Sequence, residues 1–289
     1  MKIIRIARSF LKGLKDSFKY RTLNPFRFQM ATVQSISEYS NFYLVNRIKH
    51  EAHLIDKATK NPYQEGRAQD RAFYLQQLID ELKTREHSYI EILQWAELIL
   101  INYSKWTNHG ISLHKEGAIN FSELAPLSVP SIRFWKSQIP SKQDILKCVS
   151  SAQLAPASCN RQAFLIKVLV NNNLENVEQG ALNNTMFNSV PYRVFVFINR
   201  NNYSEKYSCF IDLGMFTQNF ILQAKKLGLG CCTCYGSEQL DRSQKFYRDK
   251  FQLGDEYYCG LSILVGYPKE LVEKPPRIDT KLIVDFRDK

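Results

Sequence analysis

The rhythm of hydrophobic and polar positions changes twice along this chain. Over residues 2–20, Ile3, Ile4, Ala7, Phe10, Leu11, Leu14 and Phe18 recur at helical spacing. Lys2, Arg5, Arg8, Lys12, Lys15 and Lys19 fill the opposite face, which predicts an amphipathic helix. Residues 28–110 read as helical throughout, in segments 35–59, 70–86 and 89–103. Phe73, Leu75, Leu78 and Leu82 recur at helical intervals in the second segment. The third carries Ile90, Ile92, Leu93, Ala96, Leu98 and Leu100, dense enough for a well-buried helix. Asn61-Pro62 breaks the chain between the first two segments. Gly110, Gly117, Pro126 and Pro130 then mark a linker or extended wrap. The chain divides accordingly into a basic helix over 1–27, a helical region with its linker over 28–127, and a separate domain over 128–289.

Beyond Pro130 the pattern alternates between helical and strand-like. Ser141 is placed to cap a helix, with Asp144 three residues on in the capping-box position, and Ile145, Val149 and Ala152 form the buried stripe. Pro156 stops that helix. Strands are predicted over 164–170 and 192–198, followed by a long helix over 212–227 with Leu213, Phe216, Phe220, Ala224 and Leu227 on one face. Gly228 and Gly230 end the helix. Short strands over 231–235 and 259–265 follow, the last terminated by Gly266-Tyr267-Pro268. The fold class this predicts is α+β, a mixed sheet flanked by helices and preceded by an all-helical N-terminal region.

Composition narrows the picture. The 289 residues are 44% hydrophobic and 12% aromatic, enough to bury a substantial core, and no stretch approaches ~20 apolar residues. Arg5, Arg8 and Lys12 interrupt what would have to be a continuous signal-peptide core, so a cytoplasmic chain is expected. Of the net charge of +11, a net +7 lies within residues 1–27, where eight Lys and Arg face Asp16 alone. The remainder is weakly basic, which argues against a nucleic-acid partner. The basic helix has two uses open to it: packing on its own domain, or peripheral contact with an anionic membrane surface through residues 1–20.

Most motifs for other chemistries are absent or poorly spaced. The seven cysteines are odd in number and carry no secretion signal, so reduced thiols are expected. Cys231-Cys232-x-Cys234 lacks the spacing of a metal or redox pair. On a strand Cys232 and Cys234 face one way and Cys231 the other, as packing residues. His50-Glu51-Ala52-His53, with Asp56 nearby, is not a zinc-protease motif, and a metal there is the weaker reading. No Ser-His-Asp arrangement, P-loop or dinucleotide glycine fingerprint occurs.

Four segments, in order, carry a resemblance. Ser131-Ile132-Arg133-Phe134-Trp135 is one, and Ala152-Gln153-Leu154-Ala155-Pro156-Ala157-Ser158-Cys159-Asn160-Arg161-Gln162-Ala163-Phe164 is the second, most specific in its Pro156, Ser158, Asn160 and Gln162. Asp212-Leu213-Gly214 with Gln218-Asn219-Phe220 and Gly228-Leu229-Gly230 is the third. Gly266-Tyr267-Pro268 followed by Pro275-Pro276-Arg277 is the fourth. Together, over about residues 128–286, they resemble the nitroreductase family of FMN-dependent oxidoreductases. The Cys-Asn-Arg-Gln variant is similar to members found with bacterial surface-polysaccharide genes.

The resemblance implies an FMN site. Arg133 and Arg277 would hold the phosphate, since a guanidinium fork matches phosphate oxygens, with Ser131 adding a hydroxyl. Pro156, Ser158, Asn160 and Gln162 would line the flavin, the two amides bonding the polar edge of its ring. Tyr235 and Gly236 would bring backbone N–H groups to the ring atoms that carry hydride. Asn183, Asn184, Met186 and Phe187 fall in the region that covers the ring on the substrate side. The implied enzyme is a homodimer passing hydride from NADH or NADPH through FMN to a small-molecule acceptor, by a ping-pong route. The alternative is a weakly catalytic or non-catalytic flavin-fold scaffold in a membrane-surface polysaccharide-assembly complex. Val129, where the family usually has a further arginine, and Ala163-Phe164, where it has Pro-Trp, keep that alternative open.

Overall fold

The computed structural model of the chain describes residues 35–59, 68–85, 89–109, 117, 119–120, 127–170, 189–205, 207–235, 241–272 and 275–287. The helix expected over 2–20, Gly236, and Asn183, Asn184, Met186 and Phe187 lie outside them. The chain forms two compact units, Met1–Leu113 with Pro275–Lys289, and His114–Lys274.

In the first unit the helical periodicity becomes three helices, α1 (Asn41–Thr59), α2 (Gln69–Lys83) and α3 (Ile90–His109). The stripe Leu44, Ile48, Ala52 and Ile55 of α1 is fully buried against Leu75, Leu78, Ile79 and Leu82 of α2 and Ile92 and Ala96 of α3. Phe73, two residues from Leu75 and so off this stripe, stays exposed. The first helix begins later than expected, because Ile36–Glu38 forms a 3-10 turn. The Arg85 guanidinium fixes that turn by donating to the carbonyls of Ile36, Ser37 and Tyr39. Glu51 is buried within the bundle and takes hydrogen bonds from Arg47 at 2.7 Å and Arg71 at 2.6 Å, while His50 lies on its surface. A buried carboxylate is tolerable because it is paired in this way. Among the described residues no cluster of His, Cys, Asp and Glu could hold a metal, and no helix is long and apolar enough to cross a membrane. The segment after Pro275 belongs with this unit, where Ile278 packs against the helical core.

In the second unit, helix α4 (Lys142–Gln153) starts as the sequence implies. Ser141 accepts from the Asp144 backbone N–H at 3.1 Å and donates to the Asp144 carboxylate at 2.7 Å. The strands are β1 (Phe164–Val170), β2 (Tyr192–Asn199), β3 (Gly230–Cys234) and β4 (Tyr257–Gly266), in the order β1-β2-β4-β3. Among the described residues the three strand pairings are all antiparallel, where a mixed sheet was expected. Parallel pairing among the described residues is confined to the bridge of Ser131 with Cys231, too short a run to make a strand.

Period-two alternation sorts the sheet's two faces. Val194, Val196 and Ile198 of β2 join Ile263 and Val265 of β4 under α4 and helix α5 (Ser208–Lys226). Phe195 and Phe197 point the other way, onto helix α6 (Asp241–Phe251) through Tyr247 and Phe251. The cysteines of β3 divide as their alternation predicts: Cys231 joins the α4/α5 core, and Cys232 and Cys234 pack with Ile132, Trp135 and Val190. Helix α5 ends in a Schellman motif. Gly228 takes φ 73°, Leu229 N–H reaches Ala224 O at 2.9 Å and Gly228 N–H reaches Lys225 O at 3.0 Å. The register of β2 and β4 slips between Val196 and Phe197, leaving Gly260 as the extra residue of a bulge. A Cβ there would meet the Leu213 side chain at 2.5 Å, so glycine lets α5 lie close on the sheet.

Candidate functional site

The predicted site residues of the second unit fall on the two edges of the sheet. At the β3 edge, Ile132 N–H donates to Cys231 O at 2.8 Å, and Lys136 N–H to Tyr267 O at 2.8 Å. Residues 131–136 are thereby threaded between β3 and the chain that leaves β4. Trp135, 4% exposed, anchors the thread. Glu270, also buried, accepts the backbone N–H of Phe134 at 3.2 Å and that of Arg133. These contacts fix the Arg133 backbone while its guanidinium stays half-exposed, with Nη1 3.5 Å from Ser131 O. Ser131 is exposed, and Tyr235 is exposed just past the far end of β3. Sequence reasoning passed over Glu270, since nothing in Tyr267-Pro268-Lys269-Glu270 marks a carboxylate that turns inward.

At the β1 edge, Pro156, Ser158, Asn160 and Gln162 lie on one bend between α4 and β1. Cys159, Asn160 and Gln162 have φ of 52°, 54° and 49°. Positive φ is uncommon in residues with a Cβ, and three in four positions mark a bend held in place by its surroundings. The holder is Asp212, 1% exposed in α5. Its carboxylate accepts Ser158 N–H at 2.9 and 3.0 Å, Ser158 Oγ at 2.8 Å and Tyr203 Oη at 3.0 Å. Burial, and then the bond to Asp212, push the Tyr203 phenol above its ordinary pKa. Arg161 adds a strap, pairing with Glu205 at 3.1 Å and lying over the Tyr203 ring.

This architecture leaves the two predicted amides side by side at the surface. Gln162 Nε2 donates to Asn160 Oδ1 at 2.7 Å, so Asn160 Nδ2 and Gln162 Oε1 remain as an adjacent donor and acceptor. Gln162 also lines a small cleft with Gln153 and the apolar side chains of Ala152, Phe164, Ile166 and Phe216.

Pro156, Ser158, Asn160 and Gln162 are thus brought together, and so are Ser131 and Arg133. The two groups lie at opposite edges and opposite ends of the sheet: Ser131 bridges Cys231, in the row of Val265, Tyr192 and Val170, whereas the bend adjoins Phe164 at the other end of β1. Arg277 belongs to the first unit. It lies near Lys49, whose amine is lowered by burial first and by Arg277 second.

For FMN the donor set fits. A dianionic phosphate calls for cationic donors such as Arg133, and the polar edge of a flavin ring calls for an alternating donor and acceptor such as the Asn160/Gln162 pair. One chain offers these two halves on opposite sheet edges.

No protein-family model matches the chain, and none of the curated proteins matches it. Solved structures do. A protein from Desulfovibrio desulfuricans, described as a nitroreductase in complex with FMN, is 16% identical over 55% of this chain and 92% of its own, with a TM-score of 0.50. One from Clostridium acetobutylicum, described as an NADH oxidase, is 20% identical over 55% of this chain and 96% of its own, with a TM-score of 0.49. An FMN-dependent nitroreductase from Clostridium difficile is 22% identical over 56% of this chain and 97% of its own, with a TM-score of 0.48. At such identities the likeness is one of fold, and it rests on the first: the second unit has the nitroreductase fold.

Proposed function

We propose that this chain, built on the nitroreductase fold, is an FMN-dependent oxidoreductase that uses NADH or NADPH and acts as a homodimer. The observation that carries the reading is the bend at 158–162, where strained backbone presents Asn160 and Gln162 as one donor–acceptor pair. When bound, FMN supplies the hydride chemistry, taking two electrons from a reduced nicotinamide and passing them to a small-molecule acceptor. The chain's own residues bind and orient. Arg133 neutralises phosphate charge, and its backbone is steadied by Glu270. The amides of Asn160 and Gln162 select the ring's polar edge.

A second copy completes the site, because Arg133 and Asn160 belong to opposite sheet edges. The exposed face of α5 is suited to such pairing. Tyr207 and Ile211 are 64% and 61% exposed at helical spacing, and nothing lies within 4 Å of a Cβ built at Gly214, so a partner helix can approach closely.

The test is an absorbance titration of purified protein with FMN, followed by anaerobic addition of NADH or NADPH. A saturable flavin complex that bleaches with either donor supports the enzyme; protein that leaves FMN unchanged sinks it. A non-catalytic scaffold in a membrane-surface polysaccharide-assembly complex is the second reading. It is favoured by Arg277 belonging to the helical unit, which leaves Arg133 as the one predicted phosphate arginine in the second. Colourless protein that stays colourless in FMN, and that sediments with anionic vesicles only while residues 1–20 are present, would favour it.

A further inference from the structure

We propose that Asp212 is the positioning residue of the bend at 158–162, holding Asn160 and Gln162 in ligand-binding geometry without touching ligand. The inference deepens the flavin reading and depends on it only for the identity of what is bound.

The argument begins with what the bend lacks. Residues 156–163 lie in no strand ladder or long helix; their backbone bonds are Asn160 N–H to Ala157 O at 2.8 Å, Arg161 N–H to Ser158 O at 3.2 Å and, at the downstream end, Phe164 N–H to Gln162 O at 2.8 Å and Asn199 N–H to Ala163 O at 3.0 Å. Downstream the chain is fixed where Phe164 pairs with Ile198. Upstream it is fixed at Ser158, through both the backbone N–H and the hydroxyl, by one carboxylate. Between those two points lie all three left-handed residues. Cys159 and Gln162 each carry a Cβ that the left-handed region disfavours, so a bend freed at one end relaxes toward extended backbone.

Asp212 is not employed in capping its own helix. It is the fifth residue of α5, whose N-cap Tyr207 makes no side-chain cap bond. Its carboxylate instead gathers Ser158 and Tyr203, and the Tyr203 ring carries the Arg161 guanidinium at 5.2 Å. Buried to 1% exposure, the carboxylate has no surface to offer a ligand. Its effect passes through Ser158.

The experiment uses the full chain with D212A, D212N, S158A and N160A, and two readouts. The first is the rate of trypsin cleavage after Arg161, which reports local opening of the bend without any ligand. The second is FMN itself, followed by titration and by the visible band at saturation. Cleavage of D212A should be faster than wild type by about tenfold or more, with S158A and D212N between, at unchanged far-ultraviolet circular dichroism. FMN should bind D212A at least about tenfold more weakly, with its band displaced toward that of free flavin as in N160A. D212N, which keeps one carbonyl acceptor, should recover part of both effects.

Wild-type cleavage in D212A would overturn the proposal. So would faster cleavage with wild-type FMN binding, if N160A binds FMN weakly. Should D212A and N160A both bind FMN as the wild type does while D212A is cut faster, the anchor stands and the flavin assignment falls. If D212A does not fold, D212N and S158A carry the same comparison.

Discussion

The side-chain amide of Gln244 is bonded at both ends to the backbone of Cys259: Nε2 donates to Cys259 O at 2.8 Å, and Oε1 accepts Cys259 N–H at 2.8 Å. Cys259 sits at the bulge where β2 and β4 lose register, so a side chain completes what the ladder leaves open. Replacing Gln244 with Ala removes both of these bonds from buried backbone groups. The expected cost is about 2–4 kcal/mol by urea denaturation. Gln244→Glu should cost at least as much, since a carboxylate oxygen would then face Cys259 O.

Gly260→Ala tests the same bulge from its other face. The added Cβ would sit 2.5 Å from Leu213, a contact that Leu213 or α5 must yield to relieve. A loss of about 1–3 kcal/mol is expected in thermal unfolding, and Leu213→Ala in the same chain should recover part of it.

In the flavin reading, Arg133→Ala removes a charge-assisted bond to phosphate. FMN affinity should fall by about 10- to 100-fold, from a loss of about 1.5–3 kcal/mol, read by quenching of flavin fluorescence. Riboflavin, which lacks the phosphate, should bind wild type and variant alike. Equal FMN affinities would remove Arg133 from the site.

The thiols should separate by alkylation. Burial pushes the Cys148 thiol from 9.0 up to about 12, helped by the Asp144 carboxylate, and burial likewise raises Cys231. Cys159 is exposed. Iodoacetamide at mildly alkaline pH should mark Cys159 first, and Cys148 and Cys231 only after denaturant, as mapped by peptide mass spectrometry. A thiol whose folded pKa is raised keeps its full contribution to stability below the unfolded value. Stability should therefore decline as pH rises above about 9, because the unfolded chain ionises first.

Glu51→Ala should destabilise the helical unit by about 1.5–3 kcal/mol, since Arg47 and Arg71, both reaching solvent, would lose the buried carboxylate they share. Thermal unfolding followed by helical circular dichroism would read the loss.

Where hydrophobic rhythm and local chemistry agreed, the fold was legible. Strand 164–170 is observed with the predicted bounds, Ser141 caps α4 through Asp144, and Gly228 ends α5. Helix α6 was missed because its apolar stripe is short and mixed: Tyr247 and Phe251 stand four residues apart, and the buried polar Gln244 shares their face. Helix α5 begins earlier than expected because Tyr207 provides no side-chain cap to announce it. At the candidate site, side-chain chemistry could be read and placement could not. The residues of the bend form one sequence motif and are found together, whereas Asp212 holds Ser158 from 54 residues away. Sequence spacing also gave no sign that Ser131 and Asn160 belong to opposite edges of one sheet, because strand order, not chain order, sets that distance.

In the dimeric flavin reading proposed above, edge placement of the two donor groups would tie cofactor loading to self-association. If each flavin is clasped by Arg133 from one molecule and Asn160 from another, holding the nucleotide and holding the partner become a single equilibrium. Diluting such an enzyme would bleed away its colour, and adding excess nucleotide would drive its subunits back together.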